Sequence, residues 1–170
     1  LVAIPKMPVS HIHSTAPGPP AAIAVAEWRG GFEGVLHRRG GAVNLTGTLE
    51  AAGGTLMFDS VTGSWLMNGG TFRNGVVSQS GGAQLIVDTG TLDGVTVNGS
   101  LDVGRQINGA NLTVVNGLVL NGTLYLGNAT NSWWGQVGFL GTQTLGGNGT
   151  VIFGNQGTCN ALRVNTGGTT

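Results

Sequence analysis

Apolar and polar residues alternate along this chain in short bursts, and two of those bursts repeat each other. Residues 95–103 (VTVNGSLDV) and 118–126 (LVLNGTLYL) follow one plan: two apolar positions in alternation, an Asn-Gly-Ser/Thr corner, then two more apolar positions. A period of two puts Val95, Val97, Leu101 and Val103 on one face, with Leu118, Leu120, Leu124 and Leu126 as their counterparts. Each copy is therefore expected to be a strand, a sharp turn and a strand, and the Asn-Gly pair tolerates the positive φ of a cheap turn. An Asn-Gly between alternating runs also marks a two-residue hairpin, so an antiparallel meander is the competing arrangement.

Recurrence favours stacking over a meander. Gly70-Thr71-Phe72-Arg73, Gly90-Thr91-Leu92-Asp93 and Ala110-Asn111-Leu112-Thr113 follow one another at roughly 20-residue intervals, and each opens a unit that closes on a second apolar run. Looser copies lie at residues 54–58, 82–87 and 149–153. A chain that repeats strand and corner at this period is expected to be an all-β parallel β-helix, or β-solenoid. Its coils pair at about 4.8 Å and its inward residues form ladders. Uneven spacing is then expected to reflect loops of different length growing from one corner. Arg73 and Asp93, at the same place in successive units, should sit side by side on the outer surface.

The first part of the chain breaks the pattern. All five prolines lie in residues 1–20, and the 17–20 run PGPP cannot pair inside a sheet. Residues 1–30 are therefore read as an extended Pro-rich N-terminal arm with a possible cap, and residues 31–170 as a single solenoid domain. Residues 21–28 (AAIAVAEW) could form a short helix or a strand that hides the first coil's core. His37, Arg38 and Arg39 fall in an irregular stretch. Residues 127–136 (GNATNSWWGQ) read as an insertion at a corner, with Trp133 and Trp134 pointing to opposite sides. Leu162 and Val164 make a last alternation with no charged cap after it, so the final coil reads as open. A first residue of Leu fits a processed or trimmed segment.

Composition narrows the function. The chain has 170 residues with 33 Gly, 14 Asn, 8% charged residues and a formal net charge of zero. So little charge argues against nucleic acid or an anionic membrane as partner, and no apolar run is long enough to span a bilayer. Cys159 is the sole cysteine, which excludes an internal disulfide and suits a buried small side chain.

Parallel β-helices host polysaccharide lyases and hydrolases, whose chemistry needs paired or clustered carboxylates. Here Glu27, Glu33, Glu50, Asp59, Asp88, Asp93 and Asp102 are scattered singly, so no enzyme activity and no catalytic residue is expected. His11 and His13 share one side of the arm without a third ligand nearby, so no metal or cofactor is assigned. Six Asn-x-Ser/Thr sequons start at Asn44, Asn98, Asn111, Asn121, Asn128 and Asn148. Most coincide with corners, and Asn128 reads as the most accessible. An ice-binding face would need a regular Thr ladder, of which only Thr142 and Thr144 are legible as a single rung.

The repeated NGTL and GTLDGVTV phrases and residues 141–154 (GTQTLGGNGTVIFG) resemble the repeats of large bacterial secreted or surface β-helix proteins, of the autotransporter-passenger and adhesin-like kind with planctomycete-type representatives. The resemblance covers about residues 41 to 160 and implies an extracellular or cell-surface location. The resulting expectation is a structural solenoid that stacks end to end into a filament through open strand edges, a heterologous contact that does not close. Ile4, Pro5, Met7, Val9 and Ile12 of the arm would clasp the neighbouring subunit. The alternative is an adhesin or glycan-binding module using Trp133, Trp134, Asn128 and Asn131.

Overall fold

The computed structural model describes residues 21–23 and 43–165. The clasp residues Ile4, Pro5, Met7, Val9 and Ile12, and likewise His11, His13, His37, Arg38 and Arg39, lie outside the described residues. Every described element is a strand. In chain order they are β1 (Ala21–Ile23), β2 (Val43–Leu45), β3 (Thr48–Glu50), β4 (Thr55–Phe58), β5 (Trp65–Arg73), β6 (Val76–Gln79) and β7 (Leu85–Asn98). They continue as β8 (Ser100–Val103), β9 (Ala110–Leu120), β10 (Thr123–Leu126), β11 (Gly135–Leu140), β12 (Leu145–Gly146), β13 (Thr150–Phe153) and β14 (Ala161–Asn165). All pairings among them are parallel, and they wind into a β-solenoid of about 5 turns.

Each coil has three faces. The first carries the ladder Leu45, Met67, Val87, Val103, Leu126 and Phe153, whose members are register partners from coil to coil. On the second run Leu49, Phe72, Leu92, Val114, Phe139 and Val164, and on the third Leu56, Val77, Val97 and Leu120. Except for Phe153 and Val164 of the last coil, these inward residues fill one continuous core that includes Phe58, Phe72 and Met67 at 0% exposure. An alternating run folds this way because the outward half of each pleat meets water while the inward half stacks on the same position of the next coil.

The two copies that define the repeat are paired as their similarity predicts. Val95 and Val97 lie against Leu118 and Leu120, and Leu101 and Val103 against Leu124 and Leu126. All eight side chains are buried. Of residues 21–28, the described part is strand β1, parallel to β2.

Three details differ from the sequence reading. Ala110 does not align with Gly90: Gly90 pairs with Leu112 and Leu92 with Val114, a shift of two residues that keeps every side chain on its face. Loops leave from all three corners, at residues 59–64 and 80–84 between third and first faces, 104–109, 127–134 and 154–160 between first and second, and 141–144 between second and third. Of the two Asn-Gly-Ser/Thr corners that define the repeat, only the first has a positive φ, at Gly99 (150°), and the left-handed ladder stands elsewhere. Asn74, Gly94 and Asn116, at φ 54°, 61° and 55°, form that ladder at the corner between the second and third faces. At Gly122 the demand is proximity instead, since a Cβ there would lie 2.0 Å from the Gly99 carbonyl oxygen.

Candidate functional site

The loops at the corner between first and second faces are stacked by polar groups from successive coils. Asp102 projects outward from β8 yet is fully buried, because residues 104–109 fold over it. Its Oδ1 accepts the backbone N–H groups of Arg105 (2.9 Å) and Gln106 (3.2 Å), and its Oδ2 accepts Arg105 Nε (3.2 Å) and Gln106 Nε2 (2.9 Å). Arg105 also donates to Gln84 Oε1 at 3.1 Å and lies over the Tyr125 ring, 4.1 Å from its centroid. A carboxylate so completely partnered is a loop anchor, with no lone pair aimed at solvent for acid–base work.

The tryptophan loop is built on this anchor. Asn128 donates to Arg105 O at 2.8 Å and accepts from both the backbone N–H and the hydroxyl of Thr130. The backbone N–H of Asn155, one coil on, donates to Asn128 O. Asn128 is half-buried with both ends of its carboxamide engaged, so it is not the most accessible sequon; Asn98, Asn111, Asn121 and Asn148 are exposed. Asn131 is exposed and accepts the Trp133 backbone N–H at 2.9 Å.

Trp133 is 38% exposed, whereas Trp134 is half-buried with its ring beside Gly109. Neither lies in a strand, so their different exposures come from loop packing and not from pleat alternation. The structure thus brings Trp133, Asn131 and Asn128 into one loop and leaves one ring, not two, as a projecting surface.

Elsewhere among the described residues the acids form no cluster. Arg73 is the register partner of Asp93, as expected, but its guanidinium pairs with Glu50 of the preceding coil. Burial pushes the Glu50 carboxyl up, but the Ala52 N–H, the Arg73 guanidinium and the Asn74 amide outweigh it and hold Glu50 below the usual carboxylate range. Asp93 accepts from Asn116 Nδ2 at 2.6 Å. Among the described residues no three His, Cys, Asp or Glu side chains come together as a metal site.

One feature escaped the sequence reading. Thr48, Thr71, Thr91 and Thr113 are successive register partners facing outward on the second face, a four-rung ladder where a single rung was expected. Its signal was the Thr that follows Gly47, Gly70 and Gly90, masked because the fourth rung, Thr113, is displaced by two residues and follows Leu112. The last coil, read from the sequence as open at Leu162 and Val164, exposes residues on all three faces. Phe153 (51% exposed), Val164 (74%), Leu162 (37%) and Leu145 (40%) occupy inward positions, yet nothing among the described residues stacks on them.

The chain matches no family model, no curated protein and no solved structure.

Proposed function

We propose that this chain is an extracellular structural protein, a rigid β-solenoid subunit that associates end to end with further copies of itself into a surface fibre. The observation that carries this reading is the last coil, where four core positions and the outer edges of β13 and β14 face away from their single described partners, β10 and β11. An edge of unpaired N–H and C=O groups beside exposed core side chains is the surface a parallel strand completes. The complement that fits it is another coil of the same kind, since only a coil carries apolar residues in matching register on all three faces. Zero net charge leaves little repulsion between subunits. The location outside the cell rests on the likeness of the repeats to secreted β-helix proteins.

Electron microscopy of the purified full chain tests the reading. Fibres with a repeat of about 4.8 Å along their axis are expected. The double substitution Phe153→Asp with Val164→Asp should reduce them to short, monodisperse rods, because it places charge in the stacking face. Removal of residues 1–30 reports whether the arm clasps the neighbour. Monodisperse particles from the unmodified chain, or fibres indifferent to the aspartates, would overturn end-to-end stacking.

A further inference from the structure

We infer that the groove between residues 115–117 and 140–144 is a binding site for a neutral saccharide. The inference is independent of fibre assembly, because the groove lies on the side of the solenoid.

The groove follows from the growth of one corner from coil to coil. Between the second and third faces the turn is Gly94 in one coil and Asn116–Gly117 in the next, and residues 141–144 span it in the coil after that. The wider corner borders the narrower one along an open groove of about 490 Å³, lined by Val115, Asn116, Gly117, Leu140, Thr142, Gln143 and Thr144. That volume suits a small ligand of one or two sugar units.

The groove is held open by Gln143. Its Nε2 donates to Val114 O at 2.8 Å and to Leu140 O, and its Oε1 accepts Gly117 N–H at 2.9 Å. Thr144 O accepts Leu118 N–H at 3.1 Å. These bonds replace the strand pairing that the extra residues interrupt, so the walls are fixed before any ligand arrives.

The chemistry of the lining selects the ligand. The hydroxyls of Thr142 and Thr144 and the Asn116 Oδ1 have no protein partner among the described residues, while Asn116 Nδ2 is spent on Asp93. Val115 and Leu140 are outward-facing neighbours of adjacent strands and form an apolar floor, with Leu140 46% exposed. No charged side chain lines the groove, which disfavours a phosphate, a carboxylate or a cation. Two hydroxyls and an amide oxygen around an aliphatic floor match a pyranose, which offers hydroxyl donors and acceptors at its rim and C–H groups on its face. The tryptophan loop offers a single ring, an Asn128 carboxamide engaged at both ends and an Asn131 oxygen already accepting a backbone N–H, so the groove is the better-equipped saccharide contact of the two.

Isothermal calorimetry of the full chain with uncharged trisaccharides of glucose, galactose and N-acetylglucosamine tests this, with hydrogen–deuterium exchange as the footprint. At least one sugar should bind with a millimolar or tighter Kd and slow exchange at residues 115–117 and 140–144. Thr142→Val combined with Thr144→Val keeps the β-branched shape at exposed positions and should weaken binding about tenfold with an unchanged circular dichroism spectrum. Absence of binding by all three sugars, a footprint centred on Trp133, or unchanged affinity in the folded double variant would overturn the assignment.

Discussion

At Gly122 the fold depends on the absence of a single carbon. A Cβ would meet the Gly99 carbonyl oxygen at 2.0 Å and its carbonyl carbon at 2.6 Å, atoms of the next backbone that cannot swing aside. Gly122→Ala should therefore cost about 1–3 kcal/mol, an overpacking penalty, and lower the melting temperature by several degrees in a calorimetric scan. Glu50 contributes an acid sensitivity. Its carboxyl sits below the usual range in the folded chain, so its contribution is present above the unfolded carboxylate pKa and is lost as pH falls through the lower folded value. With Arg73 one-third exposed, that contribution is at most about 1 kcal/mol. Glu50→Gln should flatten the decline of stability below about pH 4.3, read as the urea midpoint against pH. At this scale the sequence was a partial guide. The adjacency of Arg73 and Asp93 followed from the repeat, but the guanidinium lies between two acids. Asp93 is already bound by Asn116, so the pair forms with Glu50.

The coil is the element on which stability is built. Each one touches its neighbours only, so removing a whole coil should leave a shorter but intact ladder. Deleting residues 101–123 joins Ser100 to Leu124, whose register partner is Leu101. That variant should keep its strand spectrum and cooperative unfolding at a modestly lower melting temperature. Deleting residues 101–112 leaves a fraction of a coil with its ladders out of register and should abolish folding. Collapse of the whole-coil deletion would mean that the Asp102–Arg105 anchor is indispensable to the later loops. The elements themselves were legible because Val95, Val97, Leu101 and Val103 restate the pattern of Leu118, Leu120, Leu124 and Leu126. The two-residue shift at Ala110 was not legible, because the alternation is the same before and after it. The Asn116–Gly117 corner then adds one residue more, by setting two residues opposite Gly94.

For the whole molecule, the first consequence is assembly. The proposed contact buries Phe153, Val164, Leu162 and Leu145 and pairs backbone edges, with no ion pair required. Fibres should therefore persist when ionic strength is raised, unlike contacts steered by surface charge. Loss of the fibres in salt, seen in the same micrographs, would point to an electrostatic interface instead.

The alternation of apolar residues and its recurrence determined, without help, that this chain is a parallel solenoid and which side chains fill its core. Both follow from local rules: pleat period two, and one coil stacked on an identical pattern. The tertiary structure alone decided what the outer surface presents. It set the four threonines in line, folded a loop over Asp102, tucked Trp134 beside Gly109, and left Gln143 bracing a groove between corners of unequal length. Corner length fixes which outward residues become neighbours, and its effect appears only when coils with corners of unequal length are stacked, a relation no single repeat contains.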